Sequence, residues 1–287
     1  MTLTSSFRVR TPRRRARHAS WPYVPLAFLL VFAVGPLVFV VLTAFKTQSE
    51  LSERPFALPE HWQWSNFTTA WTQANLAAGL TNSLVVIVGS VAGVCLVGGL
   101  AAYSLARLHP KGSGGVVTGL MVGGAMPKQL FLLPLFFIWA QIGLYDSLIG
   151  LILVYIAIFS PFATLLLRSF FQALPKELEE AARVDGAGML RTIFGVVLPV
   201  AWPGLLTVAL ITAINVYHEF LFAVTFLNDE TKQPVSTSLY AFQSGYTTDY
   251  ALLSAAGIVI LLPMLVLFLA LERRFTEGVA GTGLSGS

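Results

Sequence analysis

The amino-acid sequence predicts an all-helical, polytopic membrane protein with six transmembrane helices. Three observations carry that prediction. Only 11% of the 287 residues are charged, against roughly 25% in soluble globular domains, which is too few to cover a water-facing surface. The composition is 55% hydrophobic with a mean hydropathy of +0.73, so abundant apolar surface must be buried and a disordered chain is excluded. Finally, uncharged stretches of about 20 residues, the length a helix needs to cross hydrocarbon while satisfying its own backbone, recur along the chain.

Residues 1–20 form a basic arm containing Arg8, Arg10, Arg13, Arg14, Arg15 and Arg17. Such a cluster beside an apolar run reads as a cytoplasmic anchor rather than a nucleic-acid arm, so no nucleic-acid partner is expected. Residues 21–45 form the first span. They exceed a signal-peptide core and lack a small-residue cleavage site before Lys46, so the segment is expected to be retained. An outer segment rich in Trp and Pro follows at 46–79. Residues 80–272 form a core with five further spans, centred on 80–105, 114–138, 147–167, 192–217 and 250–271. The third contains Pro127, Lys128 and Pro134, so a kink or partial unwinding is expected there. Residues 273–287 form a cytoplasmic tail.

Six spans place both termini on one side. On the proposed inside lie the N-terminal arginines, Arg107, Lys111, Arg168, Lys176, Arg183, Arg191, Arg273 and Arg274, and on the outside only Lys46, Arg54 and Lys232. This asymmetry follows the positive-inside rule and predicts cytoplasmic termini. One cysteine and four scattered histidines offer neither a disulfide nor a zinc-ligand pattern, and no metal site is expected.

Three soluble pieces are large enough to act: the outer segment at 46–79, an inner loop and a second outer segment. The inner loop, 168–191, reads RSFFQALPKELEEAARVDGAGMLR. Pro175 precedes a short helix whose first turns carry Glu177, Glu179 and Glu180, where the helix dipole favours acids, and Gly186 and Gly188 stop it. A charged helix between two spans is either a lever for a cytoplasmic partner or an inert surface helix. The outer segment, 218–249, carries Asn228, Asp229, Pro234 and Gly245.

The pattern Glu180-Ala181-Ala182, three residues, Gly186, nine residues, then Val196-Val197-Leu198-Pro199 resembles the EAA signature of permease subunits in binding-protein-dependent ABC importers. Val196 in place of Ile is the only departure. The context PKELEEAARVDGA is similar to the carbohydrate branch, specifically the smaller permease subunit of the maltose-transporter type. Asn82-Ser83, AAYSLARL at 101–108, Pro127, Gln129, Pro134, Gly143-Leu144 and NVYHEFLFAVTFLNDE at 215–230 extend the resemblance. The tail at 278–286 resembles the family's ending but lacks its basic residue.

The resemblance implies a type I ABC importer permease fold and a division of labour. A second homologous permease would complete the pathway, two ATPase subunits would dock on the EAA loop, and a solute-binding protein would deliver substrate from outside. No G-x4-G-K-[ST] loop is present, so ATP and Mg would be bound by the ATPase subunits and no cofactor by this chain, which is not itself an enzyme. The implied coupling residues are Glu180, Ala181, Ala182, Asp185, Gly186, Leu198 and Pro199. The loop with Asn228, Asp229, Pro234 and Gly245 is the implied binding-protein contact.

Candidates for the substrate pathway are Asn82, Lys128, Gln129, Asn215, Tyr217 and Glu219. A charge within a span is costly and by default faces a cavity, although Lys128 beside Pro127 could also snorkel. His218-Glu219 reads either as an acid–base pair or as an interfacial hydrogen-bonding site. The outer aromatics Trp62, Trp64, Trp71, Tyr217, Tyr240, Phe242, Tyr246 and Tyr250 suit either sugar stacking or an interfacial belt. A sugar, especially an oligosaccharide, is the expected cargo, with glycerol-phosphate or amino-sugar solutes as alternatives within the same mechanism. An ion-coupled secondary transporter is the alternative of a different class.

Overall fold

The computed structural model describes residues 23–244 and 247–283; the arginine arm, Gly245, Tyr246 and the last four residues lie outside the described residues. The elements in chain order are α1 (Tyr23–Ala44), α2 (Gln48–Glu53), α3 (Ser65–Gln73), α4 (Leu76–Tyr103), α5 (Ser113–Ala125), α6 (Leu132–Gln141), α7 (Leu148–Ala173), α8 (Glu177–Val184), α9 (Met189–Thr192), α10 (Leu198–Val200), α11 (Trp202–His218), α12 (Leu221–Phe226) and α13 (Tyr250–Gly283). A minimal antiparallel pair, Gln243–Ser244 with Thr247–Thr248, is the only strand structure among the described residues.

Three helices are each long and apolar enough to cross a membrane: α1, α4 with its continuation to Leu108, and α7. The predicted third span is not one helix. Ser113–Ala125 and Lys128–Gln141 meet at 94°, and the break falls at Pro127, which lacks a backbone donor. The predicted fifth span also divides, because Met189–Val200 and Trp202–His218 meet at 75°. The longer arm of this pair, α11, starts at Trp202, and Pro203 sits in its first turn, where proline is tolerated. The second span begins at Leu76, so Asn82 lies inside α4 rather than at its opening. Arg168 belongs to α7, which runs to Ala173.

The centre of the fold is the α4–α7 pair. Gly89 and Gly93 lie four residues apart, hence on one face. A Cβ on Gly89 would sit 2.8 Å from Ile152 Cδ1, and one on Gly93 would sit inside the Ile156 side chain, 2.6 Å from its Cγ1. The two isoleucines thus occupy the space that the small residues leave, the packing by which helices associate in lipid, where apolar burial offers no preference for protein over acyl chains. Gly93→Leu is expected to cost about 1–3 kcal/mol through overpacking. Thermal unfolding of the solubilised protein checks this: Ile156→Ala in the same chain should recover part of the loss, and additive losses would show that the contact is absent.

The ends of this pair define two poles. At one, Asn82 and Ser83 of α4 meet residues 231–235, and Asp146 before α7 meets residues 228–232. At the other, Arg107 donates to the Leu174 carbonyl at 2.8 Å, just before α8. The two candidate loops are therefore at opposite ends of the pair. The outer segment at 46–79 is itself ordered. Fully buried Lys46 donates to the carbonyls of Arg54 and Pro55, both at 2.9 Å, and Phe45 packs edge-on against Trp62 and Trp64.

Candidate functional site

The signature helix α8 ends in a geometry that accounts for the spacing of its residues. The Gly186 N–H donates to the Arg183 carbonyl at 3.0 Å and the Ala187 N–H to the Ala182 carbonyl at 2.9 Å. This is a Schellman motif, with Ala182 three places before the cap Asp185 and Gly186 just beyond it. Gly186 has φ +80°, and a Cβ there would meet nothing within 4 Å. Within this chain, the demand for glycine is conformational rather than steric.

Around that turn Glu180, Ala181 and Asp185 are exposed, and Ala182 is half-buried. Val184 is 87% and Leu190 69% exposed, with Met189 and Phe194 also largely exposed. Acidic and apolar groups therefore alternate on an open surface. The rest of the signature turns inward. Ile193 and Val197 are buried in one cluster with Tyr103, Ala106, Leu167 and Phe171, and Leu198 packs against it. Pro199 is exposed and lies in the short α10, where its missing donor falls in the first turn.

The acid that anchors α8 is not in the signature. Glu179 is the only buried residue of α8; its Oε1 lies 2.7 Å from Arg107 Nε, with both side chains under 10% exposed. Neither atom has a hydrogen-bond partner among the described residues, so charge holds the pair. Tyr103 Oη donates to Glu179 Oε2 at 3.0 Å. The sequence offered three acids in ELEE and several inner cations, and nothing local marked which would meet.

Near the opposite pole lies an open cleft of about 360 Å³ lined by Lys128, Gln129, Asn215, His218, Glu219 and Phe220, among others. The structure thus brings together four of the six pathway candidates. The Lys128 ammonium stands 5.6 Å from the Phe159 ring centroid. Among the described residues it forms no ion pair. The Asn215 amide donates back to the Ile211 carbonyl, which leaves its amide oxygen without a donor among the described hydrogen bonds.

The other candidates have structural duties. Asn82 Nδ2 donates to the Thr231 and Gln233 carbonyls at 2.8 and 3.1 Å, and Ser83 Oγ accepts from the Val235 N–H at 2.9 Å. This Asn-Ser pair pins the outer segment to α4, away from the cleft. Tyr217 is buried and donates to the Ile260 carbonyl of α13. Glu219 lines the cleft, yet its Oε2 accepts from Tyr155 Oη at 2.8 Å and from the Phe222 and Ala223 N–H groups at 3.0 and 3.3 Å. His218 is its neighbour in the cleft but not its hydrogen-bond partner among the described bonds.

In the outer segment Asn228 is exposed, Asp229 is half-exposed and Pro234 is buried as part of a turn. Asp146, which sequence reasoning passed over, holds this loop. Its Oδ1 accepts from the Asn228 and Asp229 N–H groups at 2.9 and 3.0 Å, and its Oδ2 lies 3.1 Å from Lys232 Nζ. The Asp229 N–H first, then Lys232 and the Asn228 N–H, hold the Asp146 carboxyl below the usual carboxylate range. The Thr231 hydroxyl and N–H do the same for Asp229, and Asp146 raises Lys232. Depressed carboxyls stabilise the fold above their unfolded values near pH 4 and lose that contribution as pH falls through the folded value. Raised Lys232 contributes fully below about pH 10.4 and loses it above. The clasp is therefore expected to hold unchanged across neutral pH and loosen only in acid below about pH 4 or in strong alkali. Hydrogen exchange of the Asn228 and Asp229 amides measures it; protection should fall more in Asp146→Ala than in Asp146→Asn, which keeps one acceptor and tolerates the φ of +54° found here.

The binding-protein-dependent transport system inner membrane component family model matches residues 95–280. The chain belongs to this family. It is 35% identical over 266 residues to the diacetylchitobiose uptake system permease protein NgcG of Streptomyces coelicolor, covering 92% of this chain and 88% of that one. It is 30% identical over 276 residues to the melibiose/raffinose/stachyose import permease protein MelC of Bacillus subtilis, covering 95% and 100%. In fold it matches a chain from the crystal structure of a bacterial ABC transporter involved in the import of the acidic polysaccharide alginate, with a TM-score of 0.78 at 21% identity over 94% of this chain and all of that one. The helical permease fold is thereby shown for this family member.

Proposed function

We propose that this permease carries a sugar, an oligosaccharide in the first instance, across the cytoplasmic membrane as one half of a heterodimeric pathway. A solute-binding protein delivers the cargo from outside. Two ATPase subunits, which hold ATP and Mg, dock against α8, and the chain itself performs transport rather than hydrolysis. Six spans with both termini cytoplasmic follow from the basic residues, counting each bent pair as one span and α13 as the sixth. The observation that carries the reading is the Schellman-terminated signature helix, which presents Glu180, Asp185, Val184 and Leu190 outward at the pole opposite the cleft. The named cargoes of the two curated relatives, diacetylchitobiose and melibiose, raffinose or stachyose, support a sugar.

Mechanically, closure of the ATPase subunits displaces α8, and the cavity exchanges the side it faces. The Asn228–Asp229 face of the clasped outer loop meets the binding protein. Reconstitution of the chain with its partner permease, ATPases and binding protein tests this directly. ATP-dependent accumulation of labelled oligosaccharide that needs the binding protein is the expected result, and accumulation driven by an ion gradient without ATP would overturn it.

An anionic glycan is a second reading of the cargo, favoured by the lone Lys128 ammonium in the cleft. An ammonium over an aromatic face in a cleft is available to a carboxylate, a phosphate or a set of hydroxyls. Lys128→Met is expected to weaken half-maximal transport concentration about tenfold for an anionic cargo and about twofold for a neutral one, with assembly unchanged. Identical kinetics for both classes would remove Lys128 from the pathway.

A further inference from the structure

Resting on the importer reading above, we propose that the buried Arg107–Glu179 pair is the tether through which α8 moves the membrane helices, making Glu179, Arg107 and Tyr103 positioning residues of the transport step. Glu179 is the only side chain of α8 that is buried, so it is the helix's one deep hold on the body of the protein. Its partner Arg107 belongs to the π-helical turn Ser104–Leu108 that continues α4. The same guanidinium donates through a second nitrogen to the Leu174 carbonyl at the end of α7. One side chain therefore joins the coupling helix to both members of the central α4–α7 pair.

Geometry gives this arrangement a mechanical meaning. Apart from half-buried Ala182, α8 is exposed elsewhere, so beyond its short connections to α7 and α9 this pair is what links displacement of its outer face to the spans. The link also sits in the right place: Tyr103 and Ala106, flanking Arg107, share a buried cluster with Ile193 and Val197 of the signature's second half. The signature is thus held twice, by apolar packing beyond α9 and by charge through α8. Wide π-helical turns occur at both holds, Ser104–Leu108 and Ile193–Val197, and such turns are frequent where helices serve function. A desolvated ion pair is stiff because separating it strands both charges. It therefore transmits displacement in a way that a solvated surface pair does not.

Transport per ATP hydrolysed is the quantity that separates a tether from a structural contact, because misfolding lowers the amount of complex and leaves this ratio intact in what assembles. Glu179→Gln in the reconstituted complex is expected to lower the ratio at least tenfold while ATPase capture and hydrolysis persist. Tyr103→Phe, which removes only the hydroxyl, is expected to lower it two- to threefold. Should Glu179→Gln strand Arg107 and block assembly, Arg107→Met with Glu179→Met leaves no orphan charge, and the ratio should again fall tenfold. An unchanged ratio in either assembled variant overturns the tether, as does a double variant that still fails to assemble, since the pair would then serve folding alone. The wild-type arm keeps the readings apart. Wild-type complexes without ATP-dependent uptake overturn the importer reading and the tether with it, whereas wild-type and variant complexes that pump equally well overturn the tether only.

Discussion

Replacing Gly186 with valine is expected to reduce ATP-driven uptake at least tenfold, while asparagine at the same position keeps it within about twofold. Gly186 sits at φ +80°, and two hydrogen bonds close α8 there, from Gly186 N–H to the Arg183 carbonyl and from Ala187 N–H to the Ala182 carbonyl. A left-handed backbone costs most L-residues roughly 1–2 kcal/mol, more for a β-branched side chain, and 1.4 kcal/mol is a factor of ten in population. Asparagine visits that region readily. Because a Cβ at Gly186 meets nothing in this chain, valine acts by unwinding the cap and moving Asp185, Val184 and Leu190 away from their places on the proposed docking face. Paired measurements of ATPase capture and uptake check it: both should fall together in the valine variant. If valine and asparagine lose uptake equally, the demand at 186 is for space against the docked partner and not for backbone conformation.

The reasons this site was partly readable from sequence are physical. Lipid forces long uncharged segments, so the crossing stretches stand out in a chain with few charges, and Pro127 marked the break in the third because a missing donor acts locally. The division before Trp202 was less visible, since Pro203 in a first turn suits the start of a helix as well as an interruption. The stop of α8 at Gly186 was legible because helix capping is also local. Pairings were not. Glu179 rather than Glu180 faces Arg107, and Asp146 holds residues 228–232, because each contact joins segments more than 70 positions apart. Asn82 illustrates the opposite error: an amide near the outer end of a span suits a hydroxyl-rich cargo, yet two backbone carbonyls in a loop about 150 residues away take both its donors.

Glu219→Ala is expected to destabilise the solubilised protein by about 3 kcal/mol or more, whereas Glu219→Gln costs about 1 kcal/mol and leaves uptake near normal. Glu219 is 6% exposed and its Oε2 gathers a tyrosine hydroxyl from α7 and two N–H groups from the first turn of α12. Alanine strands all three. Each buried donor left unpaired costs roughly 1–3 kcal/mol, and Tyr155, fully buried, has no water to turn to. Glutamine keeps an oxygen where Oε2 lies and can accept the same bonds. The comparison also decides between two roles for a residue that lines the cleft. A purely structural Glu219 makes uptake track stability, so that the alanine protein loses both and the glutamine protein keeps both. A carboxylate that binds cargo makes them part company, with the glutamine protein unfolding at nearly the wild-type temperature but transporting at a small fraction of the rate. Thermal unfolding and uptake measured on the two variants distinguish these outcomes. The three donors already gathered on Oε2 favour the first, because they give the carboxylate a structural duty joining α7 to α12.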